Sequence, residues 1–262
     1  MSNDDNTGGS ASAPRAQFAQ ATEITTATYD RVARDYADRN ENRFGRWVEQ
    51  MEEFLVLLEE NDARQPIPDL GRPGDDATLE EYLQFVPVLD AGCGPGQDAR
   101  ALAAYNLPVL GVDISQGMLD EAGERTARRL PKGFIRYALM DMRRLELPDA
   151  SCRGSWCSAS LLHLPLRVAP RAASELVRVT RPGGPIAVFL KQRAPDSGAE
   201  RMVPYEFVEG ETGARFYAYY TPEEARALFA DAGAEILDVA SFPGTRPSDA
   251  AGWVTLLARK PI

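Results

Sequence analysis

The stretch Val88-Leu89-Asp90-Ala91-Gly92-Cys93-Gly94-Pro95-Gly96-Gln97-Asp98 leaves few folds open. Val88 and Leu89 read as the end of a short buried strand. Gly92, Gly94 and Gly96 let the backbone turn tightly and let a ligand approach without a Cβ in the way. Asp98 to Tyr105 then continues in strong helix formers. Strand, glycine turn and helix in that order place a nucleotide-like ligand at the carboxyl end of the first strand of an open α/β sheet.

The rest of the chain alternates in the same manner. Pro108–Asp113, Phe134–Ala138, Ser155–Ala159 and Ile186–Leu190 read as strands, the last an apolar run of the kind buried on both faces. Between them lie helical patterns. One follows Ser115 as N-cap, and another over Leu166–Thr180 stops at Pro182-Gly183-Gly184. Arg215–Tyr220 alternates like a short strand, whereas 191–214 is polar and is expected to be irregular. Thr221-Pro222-Glu223-Glu224 is a capping box that opens a helix ending at Gly233. Glu235–Ala240 and Trp253–Arg259 close the chain as a hairpin. Ahead of the glycine turn, Tyr29, Val32, Ala33, Tyr36 and Ala37 recur at helical spacing. A second helix carries Phe44, Trp47, Val48, Met51, Phe54, Leu55 and Leu58 on one face. Residues 61–77, with three prolines and two glycines, read as a loop, and 78–83 as a helical turn. Residues 1–20 hold almost no large apolar side chain and are expected to form a mobile tail.

Asp113 ends the second strand, where a carboxylate accepts from both hydroxyls of a ribose. Gln97 stands where a dinucleotide fingerprint requires Gly or Ala, and Asp90 would set a negative charge beside a pyrophosphate. Both point to a nucleoside without phosphate. No GK[ST] follows, so a P-loop is excluded.

With Gly111-Val112-Asp113-Ile114-Ser115, the glycine turn resembles the class I S-adenosylmethionine-dependent methyltransferases, of the small-molecule type. Four further stretches are similar in order and spacing: Met140-Asp141-Met142 with Leu147-Pro148-Asp149, Trp156 to His163, Arg178 to Gly184, and Phe216 to Glu224. The resemblance covers about residues 25–260. It implies an α/β fold: a Rossmann-like, doubly wound, mostly parallel seven-stranded sheet with an antiparallel last strand. A methyltransferase domain would occupy 21–262, with a helical cap over 21–60 and a substrate-side insertion over 191–220.

The resemblance also implies the roles of individual residues toward S-adenosyl-L-methionine. Gly92 and Gly94 would line its methionine part, with Asp90 polarising the amino group. Asp113 would take the ribose, and Met118 would pack near the adenine. Asp141 would accept from the adenine amino group, with the Met142 amide facing the ring, and the backbone around Cys157 would meet the methionine amino group. Tyr29 and Tyr36 match a first helix that closes over the cofactor, and helix packing explains them equally well. Relatives commonly carry an aromatic-Asp pair where this chain has Cys152 and Arg153.

His163, the sole histidine, is the candidate general base, with a structural role as the alternative. Cys93 and Cys157 read as small buried residues, and the three cysteines match no metal template. The formal net charge of −10 argues against nucleic acid as partner. With no secretory signal pattern or bilayer-length apolar run, a cytoplasmic protein is expected, as monomer or homodimer. The expected activity is methyl transfer to oxygen or nitrogen of a small molecule. Two alternatives stay open: methylation of a tRNA nucleoside, and a cofactor-binding module without transferase activity.

Overall fold

A computed structural model describes residues 20–41, 47–67, 69–71, 73–74, 76–130, 133–206, 212–244 and 251–262. Residues 1–19 of the expected tail, and Phe44, lie outside them. The elements run α1 (Ala21–Asn40), α2 (Val48–Arg64), α3 (Leu79–Leu83), β1 (Val88–Ala91), α4 (Gln97–Ala103), β2 (Val109–Asp113) and α5 (Gln116–Ala127). There follow β3 (Ile135–Leu139), β4 (Gly154–Ser158), a 3₁₀ turn (Leu161–His163), α6 (Ala169–Val179) and β5 (Pro185–Lys191). The chain ends with β6 (Glu200–Glu206), β7 (Thr212–Ala218), α7 (Pro222–Asp231), β8 (Glu235–Phe242) and β9 (Trp253–Arg259).

Seven strands form one sheet in the order β3-β2-β1-β4-β5-β9-β8, with β9 antiparallel to both neighbours and the remaining pairs parallel. The strand order reverses between β1 and β4. In an open parallel sheet the crevice outside the carboxyl ends at such a reversal is the natural ligand seat. The glycine turn therefore lies at the one point where neighbouring connections leave to opposite faces.

Strand alternation divides the core. Val88, Trp156 and Phe189 point to one face, where α2 brings Met51, Phe54 and Leu58 and α4 brings Leu102. Leu89, Val188 and Leu256 point to the other, against Leu176 and Val179 of α6 and Phe229 of α7. Trp156 is fully buried between Phe54 and Phe189, ring centroids 5.4 and 4.6 Å away, and its indole N–H donates to Asp98 at 2.9 Å. Such a side chain contributes on the order of 3 kcal/mol of burial. Ser115 caps α5 and Thr221 caps α7 with a full capping box, as the sequence predicts.

The expectation that 191–214 is irregular is corrected. Glu200–Glu206 is a strand paired antiparallel with β7 in a two-stranded sheet of its own. It has a strand partner on one side only, so Pro204, which lacks an N–H, is tolerated. Its charged residues carry no apolar alternation from which a strand could be read. The helix expected from Leu166 begins at Ala169, because Leu161–His163 first turns as a 3₁₀ segment.

Candidate functional site

A cavity of about 320 Å³ opens at the carboxyl ends of β1, β2 and β4, beneath α1. The glycine turn forms its floor. Gly92 and Gly94 have φ of +72° and +51°, left-handed values that L side chains adopt at a cost. A Cβ on Gly92 would come within 2.2 Å of the Ser160 Cβ, whereas one on Gly94 would project into open space. That space is a cradle for a ligand, kept clear by the absence of a side chain.

Asp113 ends β2 at the cavity. Its Oδ2 accepts from the Gly94 N–H at 2.8 Å and its Oδ1 from the Ser115 N–H at 2.9 Å. These bonds fix the carboxylate and leave further lone-pair directions for a vicinal diol. Asp90 is almost wholly buried at the end of β1, and its Oδ2 has no partner. Burial first, then the nearby Asp98 and Asp113, push its carboxyl well above the usual range. An orphaned carboxylate oxygen in a cavity wall fits an ammonium group.

A pH consequence follows from that burial. A folded-state carboxyl raised above its unfolded value contributes stability below about pH 4 and loses it as pH rises through the folded value. Asp90→Asn therefore should raise the melting temperature of the ligand-free protein at pH 7, with a gain that vanishes near pH 4. Equal melting temperatures at pH 7 would contradict the burial cost.

Met118 is buried and lines the cavity with Met140, Asp141 and Met142. The Asp141 carboxylate is held by the Arg143 guanidinium and backbone N–H, which offset its burial and keep its pKa below the usual range. It reaches the cavity wall already ionised and anchored. Cys157 stands behind the wall, fully buried, its thiol 3.1 Å from the Ser160 hydroxyl. Ser158, Ala159 and Ser160, which follow it, line the cavity.

Helix α1 forms the opposite wall with Thr25, Tyr29, Tyr36 and Asn40. Tyr29 and Tyr36 meet edge to face at 5.5 Å. On one side α1 is tied to α5. Asp30 accepts from the Ser115 hydroxyl at 2.6 Å and the Gly117 N–H at 3.0 Å, and Arg125 pairs with Asp38, Glu41 and Glu121. On the other it is tied to β7. Thr25 accepts from the Phe216 N–H at 2.9 Å, and the Thr28 hydroxyl donates to the Ala214 carbonyl at 2.8 Å. The Gln97 amide donates to the Asn40 carbonyl, fastening the end of α1 over the glycine turn. Sequence reasoning singled out Gln97 only as a mismatch to a dinucleotide fingerprint. Asp30, Thr25, Thr28 and Ser160 gave no signal, since their roles exist only in the assembled contacts.

His163 lines the cavity on the 3₁₀ turn after β4. Its Nδ1 lies 2.6 Å from the Phe216 carbonyl oxygen, which can only accept, so Nδ1 carries the proton. Nε2 then accepts from the Tyr29 hydroxyl at 2.8 Å. Burial pushes the imidazole down to about 3, and burial likewise raises Tyr29 well above 10. Both groups stay neutral across the physiological range.

Residues 88–184 match the methyltransferase-domain family. The matches identify that span as a class I S-adenosylmethionine-dependent methyltransferase domain. It is 38% identical over 120 residues to an S-adenosyl-L-methionine-dependent Diels-Alderase of Talaromyces variabilis, covering 45% of this chain and 40% of that one. It is 32% identical over 170 residues to the 27-O-demethylrifamycin SV methyltransferase of Amycolatopsis mediterranei, covering 62% and 58%. The chain spans about half the length of the curated relatives it matches. Among solved structures, the fold is like that of the Burkholderia thailandensis 1,6-didemethyltoxoflavin-N1-methyltransferase, with a TM-score of 0.60 at 18% identity over 98% of this chain and 94% of that one. The family's cofactor is S-adenosylmethionine, and the open cradle at Gly94, the fixed Asp113 and the orphaned Asp90 oxygen fit it. Among the described residues no cluster of three His, Cys, Asp or Glu could hold a metal ion, and no helix is long and apolar enough to cross a membrane.

Proposed function

We propose that this chain transfers a methyl group from S-adenosylmethionine to an oxygen or nitrogen of a small-molecule acceptor. One observation carries the reading: a single cavity runs from Asp113 and Asp90 at the sheet to Tyr29 and His163 under α1, continuous space for a cofactor and an acceptor side by side. The cofactor, when bound, supplies a methyl group on a positively charged sulfur, already activated for in-line displacement. The chain has to align the two reactants and exclude water. Positioning alone supplies on the order of 7–11 kcal/mol of such a barrier. In this reading Asp113 holds the ribose, Asp90 the ammonium group, and Met118 and Met142 flank the adenine. The α1 wall keeps water out.

His163 is a positioning residue in this scheme. Its lone pair is filled by Tyr29, and a group titrating at about 3 is a weak base at neutral pH. The pH dependence of kcat/KM should show no acid limb near 6.5, and His163→Asn should shift KM more than kcat. An acid limb there, abolished in the variant with a ~10²-fold fall in kcat, would restore the base.

The direct test of the activity is release of S-adenosylhomocysteine on addition of acceptor to the full chain. A second reading, a cofactor-binding protein that does other chemistry, is favoured by one observation, the similarity to a protein named as a Diels-Alderase. Saturable S-adenosylhomocysteine binding with no methylated product from any acceptor class would favour it.

A further inference from the structure

Near the acceptor end of the cavity stands a cation that pairs with no anion among the described residues. Arg215 on β7 holds its guanidinium 4.4 Å from the Tyr205 ring centroid, 5.3 Å from that of Tyr217 and 5.7 Å from that of Tyr29. Its Nη1 lies 3.4 Å from the Tyr29 hydroxyl oxygen, and its Nε is buried without an acceptor. Among the described residues no carboxylate is ion-paired with it, whereas Arg125 pairs with Asp38, Glu41 and Glu121, and Arg178 with Asp149 and Glu175. Aromatic faces offset part of the desolvation of a guanidinium, but an unused buried donor remains a cost.

Tyr29 belongs to the cavity wall, so the charge of Arg215 stands one hydroxyl away from the cavity. Lys191 adds a second positive charge behind Tyr217, its Nζ 5.1 Å from that ring. The cavity's carboxylates among the described residues, Asp90, Asp98, Asp113 and Asp141, belong to the strand ends, the first turn of α4 and the loop after β3. The imidazole at the other end is not free to take a proton. The Nε2 of His163 is already bonded to Tyr29, and Tyr29 is a hydroxyl.

We propose that the acceptor enters as an oxygen anion, a carboxylate or the conjugate base of an acidic enol or phenol, with its charge held by Arg215 beside Tyr29. This rests on the methyltransferase reading and narrows it to a substrate class. The step balances without a base. The acceptor oxygen forms its bond to the methyl carbon as the carbon–sulfur bond breaks, the electron pair goes to sulfur, and no proton moves. The methylated product is neutral and loses its hold on the guanidinium, which favours its departure. Amines that are protonated at neutral pH are repelled by the same charge.

The test is calorimetry on the full chain saturated with S-adenosylhomocysteine. Benzoate and 4-hydroxycoumarin serve as anionic probes, and benzamide and benzyl alcohol as neutral ones. Both anions should bind at least ~10-fold more tightly than the neutral pair, the scale expected for one charge at several ångströms in a partly buried site. Arg215→Gln should erase that preference, and Arg215→Lys, which keeps the charge, should retain part of it. Affinity for S-adenosylhomocysteine should be unchanged in both variants, which also shows that they are folded. Neutral probes binding as tightly as anions, anions failing to bind, or a preference that survives Arg215→Gln would each overturn the inference. A wild-type chain that does not bind S-adenosylhomocysteine defeats the methyltransferase reading itself, a separate and earlier failure.

Discussion

Asp113→Ala is expected to weaken S-adenosylhomocysteine binding by ~10²–10⁴-fold while the chain stays folded. Two hydrogen bonds from a diol to one carboxylate contribute about 1.5–3 kcal/mol each. The substitution removes both, and it also releases the Gly94 and Ser115 N–H groups that the carboxylate now fixes. Those donors border the cavity, so water can satisfy them, and the loss appears mainly in binding. Calorimetric titration of both proteins, with circular dichroism as the folding control, reads the difference. Binding equal to the wild type would remove Asp113 from the cofactor site, and with it the argument that the ligand is a nucleoside.

Gly92→Ala should act on the fold. Two costs combine: a left-handed φ of +72° and a Cβ placed 2.2 Å from the Ser160 Cβ. The first is on the order of 1–3 kcal/mol, and so is the second, since Ser160 is held by its hydrogen bond to the Ala91 carbonyl at 2.6 Å. Together they are a large fraction of the ~5–15 kcal/mol that stabilises a typical domain. A fall of roughly 10 °C in melting temperature is expected. Gly123→Ala is the control. It lies within α5 with nothing within 4 Å of its would-be Cβ, and it should be neutral or stabilise by about 0.5–1 kcal/mol. If both variants melt alike, the Ser160 wall is softer than its geometry implies.

The inner strands were readable because they are buried on both faces, unlike β3 and β8 at the edges. Val109–Asp113, Gly154–Ser158 and Pro185–Lys191 are buried up to their last residue, and glycine or proline marks most of the connections between elements. The cofactor end was readable for a different reason. Asp90, Gly92 and Gly94 lie within five residues and Asp113 ends the very next strand, so a local pattern carries their placement. The acceptor end is built from pieces far apart in the chain. Thr25 meets Phe216, Tyr29 meets His163 and Arg215, and no spacing records those meetings. His163 shows the limit well. Its type suggested a base, but the carbonyl of Phe216 and the hydroxyl of Tyr29 decide its proton, and both arrive from elsewhere. Strand β6 escaped notice because a strand with one partner needs neither alternation nor freedom from proline.

Helix α1 lines the cavity along most of its length, from Thr22 to Asn40. Its two edges are fastened by different physics. Toward α5 the ties include ion pairs at Arg125, of which only the one to the exposed Asp38 is open to screening by salt. Toward β7 they are threonine-to-backbone hydrogen bonds among neutral groups, which salt leaves alone. The two edges of the helix therefore differ in what would loosen them: the carboxylate–guanidinium contacts toward α5 depend on the charge of Asp38, Glu41 and Glu121, and those toward β7 do not.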